Sequence, residues 1–124
     1  MKVVHSDNAP KAVGPYSQAI EANGFVFASG QLPIDPATNE FAVGGIKEQT
    51  RQSITNAQNV LRAAGIDLSH VVKTTVFLSD MDNFAAMNEV YAEFFSEPFP
   101  ARSAFAVKTL PKGALVEMEC IAAK

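Results

Sequence analysis

The sequence predicts an α+β domain in which two helices cover one face of a six-stranded mixed sheet. Apolar residues alternate or run together in six short segments, and they recur every three or four positions in two longer ones. The elements follow the order βββαβαββ along the chain. Because two helices can cover only one face of a sheet of that width, we expect the other face to be open. The 124 residues fit a single domain, residues 1–124.

The first three strands are predicted from short apolar runs separated by turn residues. Residues 3–4 form a brief strand, and residues 16–21 and 25–29 form a pair joined by an Asn-Gly dipeptide. That dipeptide is a strong signal for a two-residue hairpin turn. The next stretch, residues 32–45, contains two prolines and two glycines, and it is predicted to be a loop.

Two amphipathic helices follow the loop. Residues 46–64 carry an apolar line at helical spacing, and Gly65 supplies a C-terminal stop. The segment Ser79–Asp82 offers N-cap oxygens for a second helix, which ends before Pro98 and Pro100. An apolar stripe along the second helix is expected to lie in the core: Phe84, Met87, Tyr91, Phe94 and Phe95.

Three further strands complete the sheet. Residues 71–78 are rich in β-branched residues and read as a central strand, while residues 102–108 and 115–122 flank a Leu-Pro-Lys-Gly turn. In the last strand, residues 116, 118, 120 and 122 are apolar and suit the helix-covered side. The alternate positions mix apolar groups with Glu117 and Glu119. An open face of that kind predicts an interface between chains.

Arg102 stands at the start of a strand that otherwise reads as apolar, in the stretch FPARSAFAV. If Phe105 and Val107 join the core, strand alternation puts Arg102 on the open face, together with Glu117. The residues alone leave two interpretations open. One is a salt bridge at an interface between chains. The other is an arginine that binds the carboxylate of a small ligand, with Glu117 orienting a water molecule or moving a proton.

Several other functions are disfavoured by composition. The net charge is −3 and the ten Lys and Arg residues are scattered, which is not the footprint of a nucleic-acid-binding surface. The two histidines and the single cysteine form no metal-ligand pattern, and no nucleotide-binding loop or serine-nucleophile motif occurs. No run approaches the roughly 20 apolar residues of a membrane span. The beginning of the sequence lacks a signal-peptide core, so we expect a cytoplasmic protein.

Four segments carry a resemblance to a known family: NAPKAVGPYSQAI, FASGQLPIDP, VVKTTVFLSDMDNFAAMNEVYAEFF and PARSAFAVKTLPKGALVEMECIA. Together they make the chain similar to the RidA/YjgF family of reactive intermediate deaminases, from about residue 8 to the C-terminus. The resemblance implies a chorismate-mutase-like fold and a homotrimer with a pocket at each subunit interface.

The implied activity is hydrolysis of enamines and imines to 2-oxo acids and ammonia. Its substrates would be 2-aminoacrylate, its tautomer 2-iminopropanoate, and 2-iminobutanoate, and their removal would protect pyridoxal-phosphate enzymes. No metal, organic cofactor, nucleic-acid partner or membrane partner is implied. The alternatives are a non-enzymatic trimer that binds or senses small carboxylates and, less favoured, RNA cleavage or inhibition of translation.

The resemblance also assigns roles to individual residues. Arg102 is expected to bind the substrate carboxylate, and Glu117, kept ionised by that arginine, to hold the attacking water. Ala104 stands where many family members have cysteine; it is expected to act through its backbone. The short Ser96–Pro100 connection is expected to alter the pocket rim. The remaining positions expected to line the pocket are Tyr16, Ser29, Gly30 and Asn88.

Overall fold

A computed structural model describes residues 1–124 and contains a six-stranded mixed sheet with two helices on one face, as predicted. The elements are β1 (Lys2–Val4), β2 (Ala19–Ala22), β3 (Phe25–Gln31), β4 (Ile34–Asp35), β5 (Glu40–Phe41), α1 (Ile46–Ala63), β6 (Val71–Leu78), α2 (Phe84–Phe94), β7 (Ala101–Ala106) and β8 (Val116–Ala123). The order across the main sheet is β1-β2-β3-β8-β6-β7. Only the β6–β7 pair is parallel. Neither helix has the length and apolar character needed to cross a membrane.

The predicted turns are present, whereas α2 itself begins without a side-chain cap and the predicted cap starts a short turn before it. Asn23 and Gly24 have φ values of 52° and 81°, which form the tight turn between β2 and β3. Helix α1 ends at Ala63, and Gly65 adopts a φ of 82° just beyond it. The side chain of Asp80 accepts a hydrogen bond of 2.8 Å from the backbone N–H of Asp82 and starts the short turn that leads into α2.

The segment 32–45 was predicted to be a loop, but it contains two short strands. Strands β4 and β5 form a small hairpin within it, in which Ile34 pairs with Phe41. Asn56 of α1 holds this hairpin through its side-chain amide, which donates to the carbonyls of Leu32 at 3.0 Å and Ile34 at 2.8 Å. Strands of two residues are too short to show an alternating pattern, and the neighbouring prolines concealed them in the sequence.

The core lies between the sheet and the two helices. Strand β8 alternates as predicted, because Val116, Met118, Cys120 and Ala122 are all buried on the helix side. The α2 stripe contributes to the same core, with Met87, Tyr91 and Phe95 buried and Phe84 and Phe94 packed against it.

The opposite face of the sheet is open and partly apolar. Phe27 and Phe105 are each 45% exposed there, and the Phe105 ring meets Phe77 edge to face at 5.6 Å. Glu117 lies on this face, because it pairs with Phe77 across β8 and β6. The predicted combination of apolar groups and carboxylates is therefore present on one surface.

The predicted orientation of the β7 side chains, with Arg102 on the open face, was wrong. Arg102 pairs with Thr74 and Ala104 with Val76, and both partners are buried on the helix side. Arg102 therefore lies on the helix side, opposite to Glu117. The larger Phe105 turns to the open face because the guanidinium, packed against aromatic rings of α2, and the small Ala104 fill the helix side of this edge strand.

Candidate active site

The candidate site residues fall into two clusters on opposite faces of the sheet. The glutamate cluster comprises Tyr16, Ser29, Gly30, Glu117 and Glu119, which line one recess of about 500 Å³. The arginine cluster comprises Phe84, Asn88, Tyr91 and Arg102. Three of its members line a second recess of about 500 Å³ together with Ala92, Phe99 and Pro100. A single chain does not bring Arg102 and Glu117 together.

An irregularity in β3 shapes the glutamate cluster. The pairing of β3 with β8 shifts between Ala28 and Gln31, which releases Ser29 and Gly30 from the regular ladder. The Ser29 hydroxyl donates to the carbonyl of Ser17 at 2.7 Å. The backbone N–H of Ser29 donates to the carbonyl of Gln18 at 2.9 Å. The bulge therefore has a fixed shape.

Gly30 makes room for the Glu117 side chain. A Cβ atom at position 30 would overlap the Glu117 Oε2 atom and lie 2.9 Å from its Cδ. Carbon atoms in contact are normally about 3.5–4.0 Å apart. The glycine therefore allows the carboxylate to lie directly against the β3 backbone, and any larger residue would displace it.

The Glu117 carboxyl has an electrostatic environment that favours its neutral form. Burial raises the pKa of Glu117 above its ordinary value, and the like charge of Glu119 raises it further. No cation of the same chain forms a salt bridge with Glu117. The prediction that Arg102 keeps this carboxyl ionised therefore does not hold within a single chain.

Arg102 is held by one hydrogen bond and two aromatic rings. Its Nη1 atom donates to Asn88 Oδ1 at 2.7 Å. Its guanidinium carbon lies 4.8 Å from the centre of the Tyr91 ring and 5.5 Å from that of Phe84. No carboxylate of the chain pairs with Arg102. Its charge is therefore available to an external anion.

Ala104 lies two residues beyond Arg102 on the same face. The N–H of Val107 donates to the carbonyl of Leu78 at 2.8 Å, toward β6. Because backbone groups point to alternate sides along a strand, those of Ala104 point toward the unpaired edge of β7. The backbone of Ala104 is thus available for hydrogen bonding near Arg102.

Tyr91 belongs to the arginine cluster, although the sequence pattern assigned it only to the core. Its ring is buried, yet it also contacts Arg102, and its hydroxyl forms a 2.8 Å hydrogen bond with Thr74. The spacing of Asn88 and Tyr91 could have indicated this contact, because residues three positions apart on one helix share a face.

The chain contains no group of three or more histidine, cysteine, aspartate or glutamate side chains arranged to hold a metal ion. The lone Cys120 is buried in the core, and burial raises the pKa of its thiol to about 12. Glu117 and Tyr91 each combine a perturbed pKa with a position in the lining of a recess, one in each cluster.

Comparison with known proteins decides the family. The sequence profile described as Endoribonuclease L-PSP matches residues 6–124. The chain belongs to the RidA/YjgF family. The resemblance that the sequence motifs indicated is therefore confirmed.

Family relatives match along nearly their whole length. A RutC family protein of Pyrococcus horikoshii is 55% identical over 99% of this chain and 98% of its own. A 2-iminobutanoate/2-iminopropanoate deaminase of Capra hircus is 46% identical over 98% of this chain and 88% of its own. The crystal structure of RidA from an Antarctic Psychrobacter species superposes with a TM-score of 0.96 at 44% identity, and all of both chains is covered. The chain thus has the RidA/YjgF fold.

Proposed function

We propose that the protein hydrolyses short 2-imino acids, and the enamines from which they form, to 2-oxo acids and ammonia. The arginine cluster of one chain would face the glutamate cluster of the next in a homotrimer. The observation that carries this proposal is the placement of Arg102 and Glu117 on opposite faces of one sheet. Neither charge has a counter-ion in its own chain, so each recess holds half of a complementary pair.

Arg102 suits the carboxylate of such a substrate. A guanidinium can donate two parallel hydrogen bonds to two carboxylate oxygens, and these charge-assisted bonds fix the orientation of the ligand. Asn88 occupies only Nη1. The edge formed by Nε and Nη2 has no partner among the hydrogen bonds of the chain and is the one we assign to the substrate.

Glu117 suits the water that attacks the imine. Its pKa lies above that of an ordinary glutamate, so its ionised form is a stronger proton acceptor. In the proposed reaction Glu117 takes a proton from water while the water oxygen bonds to C2 of the imine. Glu117 then returns the proton to the nitrogen, and the C–N bond breaks with its electron pair leaving on nitrogen. As the C2 carbonyl forms, the carboxylate of Glu117 accepts the hydroxyl proton of the adduct, which balances the proton that the protonated imine brought in. One imine and one water become one 2-oxo acid and one ammonia.

Little further chemistry is required of the protein. A protonated imine carbon is already electrophilic, so the main tasks are to orient substrate and water. The proposal routes no step through a metal or an organic cofactor. Tyr16, Ser29, Gly30 and Ala104 would line the pocket. The proposal includes a cytoplasmic location, where such imines would be intercepted before they reach pyridoxal-phosphate enzymes.

The activity is tested with a coupled assay. A pyridoxal-phosphate dehydratase generates 2-iminobutanoate, a nucleophilic trap competes for it, and the protein is added as wild type, Arg102→Ala or Glu117→Ala. We expect the wild type to reduce trapping and both variants to lose most of that effect. Wild-type protein that does not reduce trapping, or an Arg102→Ala variant equal to it, refutes the proposal.

The shared site is tested by mixing inactive chains. Arg102→Ala and Glu117→Gln are expected to be inactive alone, but co-refolded trimers would contain sites with one intact arginine and one intact glutamate. Random assembly from equal amounts would restore about a quarter of the wild-type activity, because each interface draws one residue from each neighbour. Light scattering should give about 40 kDa for three chains of 13.3 kDa. No recovery from correctly sized mixtures rules out the two-chain site.

The same assays separate the alternatives. A non-enzymatic carboxylate-binding protein would bind 2-oxobutanoate in an Arg102-dependent manner without turning over the imine. The family description also names an endoribonuclease. That activity would appear as RNA cleavage that survives Arg102→Ala and further purification, although the chain is acidic overall, with a net charge of −3.

A further inference from the structure

We propose that Tyr91 is a positioning residue that orients the guanidinium of Arg102. Tyr91 is itself held by the hydrogen bond between its hydroxyl and Thr74 on the neighbouring strand β6. This inference rests on the proposed function, because it concerns how the chain aims its carboxylate-binding group. It gives a catalytic purpose to a tyrosine that would otherwise count only as part of the core.

The contacts form a continuous chain from the core to the recess. The Tyr91 hydroxyl bonds to Thr74 Oγ1 at 2.8 Å, and both residues are buried. The Tyr91 ring also packs against the Phe95 ring, with centroids 4.4 Å apart. The guanidinium of Arg102 lies over the Tyr91 ring at 4.8 Å. Register pairs Arg102 with Thr74, so the anchor and the arginine occupy neighbouring strands at the same level.

A flat ring fixes a guanidinium in a way that a hydrogen bond alone does not. The bond to Asn88 limits rotation about one nitrogen, whereas a ring face restricts the tilt of the whole planar group. With both restraints, the guanidinium edge opposite Asn88 has a defined direction. A planar 2-imino carboxylate would then bind with its C2 carbon at a reproducible place relative to the water on Glu117.

The electrostatic environment of Tyr91 also supports a role in positioning Arg102. Burial raises the pKa of Tyr91, while Thr74 and the positive charge of Arg102 oppose that rise. The phenol therefore remains neutral, and it offers the arginine its ring face without competing with the substrate carboxylate for the charge.

The ring is tested with Tyr91→Phe and Tyr91→Leu in the imine-trapping assay. Tyr91→Phe keeps the ring but loses the bond to Thr74, and it is expected to lose about threefold in kcat/KM, whereas Tyr91→Leu should lose roughly tenfold, mainly through KM. Phe94→Leu, which removes a ring of the same helix that does not stack on Arg102, is expected to lower thermal stability without changing KM by more than about twofold.

A double-mutant cycle separates positioning from general destabilisation. If Tyr91 acts through the planar guanidinium, the Tyr91→Leu change should cost less than about threefold in an Arg102→Lys background. A full tenfold loss in both backgrounds would overturn the proposal, because a ring that merely supports the fold acts independently of residue 102. Equal kcat/KM values for Tyr91→Leu and wild type would overturn it as well.

Binding of 2-oxobutanoate provides a readout that does not depend on turnover. Isothermal titration of wild type, Tyr91→Phe and Tyr91→Leu should give the same order of affinities as the kinetic assay. If 2-oxobutanoate binds through Arg102 and Tyr91→Leu weakens it roughly tenfold while no imine is hydrolysed, the positioning role stands and the deaminase proposal fails. If imine is hydrolysed and Tyr91→Leu changes neither readout, the reverse holds.

Discussion

The contact between Gly30 and Glu117 gives the sharpest test of the site. In Gly30→Ala, the new Cβ would overlap Oε2 of Glu117, lie 2.9 Å from Cδ and lie 3.2 Å from Cγ. The β3 backbone is fixed by the two hydrogen bonds of Ser29, so the flexible carboxylate must move instead. Relief of this overlap needs a displacement of about 1 Å or more, since carbon atoms pack at about 3.5–4.0 Å.

A displacement of that size should strongly lower the catalytic rate but change the stability of the fold very little. We expect kcat/KM for 2-iminobutanoate to fall about 100-fold. The free energy of unfolding should change by less than about 1 kcal/mol, because a partly exposed side chain can rotate away. Urea denaturation of the same preparations would measure the second quantity.

Gly45→Ala is the matched control. It is the same chemical change at a position before α1, where a Cβ meets nothing within 4 Å. It should retain wild-type kcat/KM. A Gly30→Ala variant within about threefold of wild type would refute the reasoning, because Glu117 would then not need its present position.

Three further expectations follow from burial and charge. Glu119→Gln should move the acid limb of the pH profile of kcat/KM to lower pH, because the like charge raises the pKa of Glu117 and the base works only when deprotonated; an unchanged or higher limb would argue against Glu117 as the base. Cys120 should resist iodoacetamide in the native protein and react after unfolding, as judged by mass, because burial raises its pKa to about 12. Thr50→Val should leave the free energy of unfolding unchanged or raise it by up to about 1 kcal/mol, since the buried Thr50 hydroxyl has no partner. Thr74→Val should lower the free energy of unfolding by about 1–3 kcal/mol, because it leaves the buried Tyr91 hydroxyl unpaired. Equal urea midpoints for the two variants would contradict this expectation.

The regular parts of the fold were predictable because burial enforces a period. In β8 every second residue from Val116 to Ala122 is apolar and buried, and α1 and α2 show the three-and-four spacing that packing against a sheet requires. The turn at Asn23-Gly24 was predictable for a different reason, since a left-handed backbone restricts which residues can occupy it.

The facing of β7 was not predictable from its own residues. The alternation argument assumed that the larger apolar side chains of this strand point into the core, but on an edge strand the space is set by other elements. Rings from α2 reach over the edge and leave room for Ala104, while Phe105 packs on Phe77 across the open face. Only knowledge of which strand is outermost, a tertiary property, would have assigned Arg102 correctly.

The candidate site residues were named by resemblance, and their grouping depends on the topology. Strand alternation in the sequence predicted that Arg102 and Glu117 share one face of the sheet. In the sheet, β6 lies between β7 and β8. This insertion moves the two charges apart, and their opposite facing completes the separation.

If the site joins Arg102 of one chain to Glu117 of another, as proposed, ligand binding and chain association become one equilibrium. A molecule that contacts Arg102 of one chain and Glu117 of another can bind only where the chains are joined. By mass action it must then favour the assembled form, and saturation at 100 times its dissociation constant is worth about 2.7 kcal/mol per site. Dilution would therefore dissociate the empty protein before the occupied one. On the proposed function, a higher imine concentration would therefore itself increase the assembled fraction of the protein.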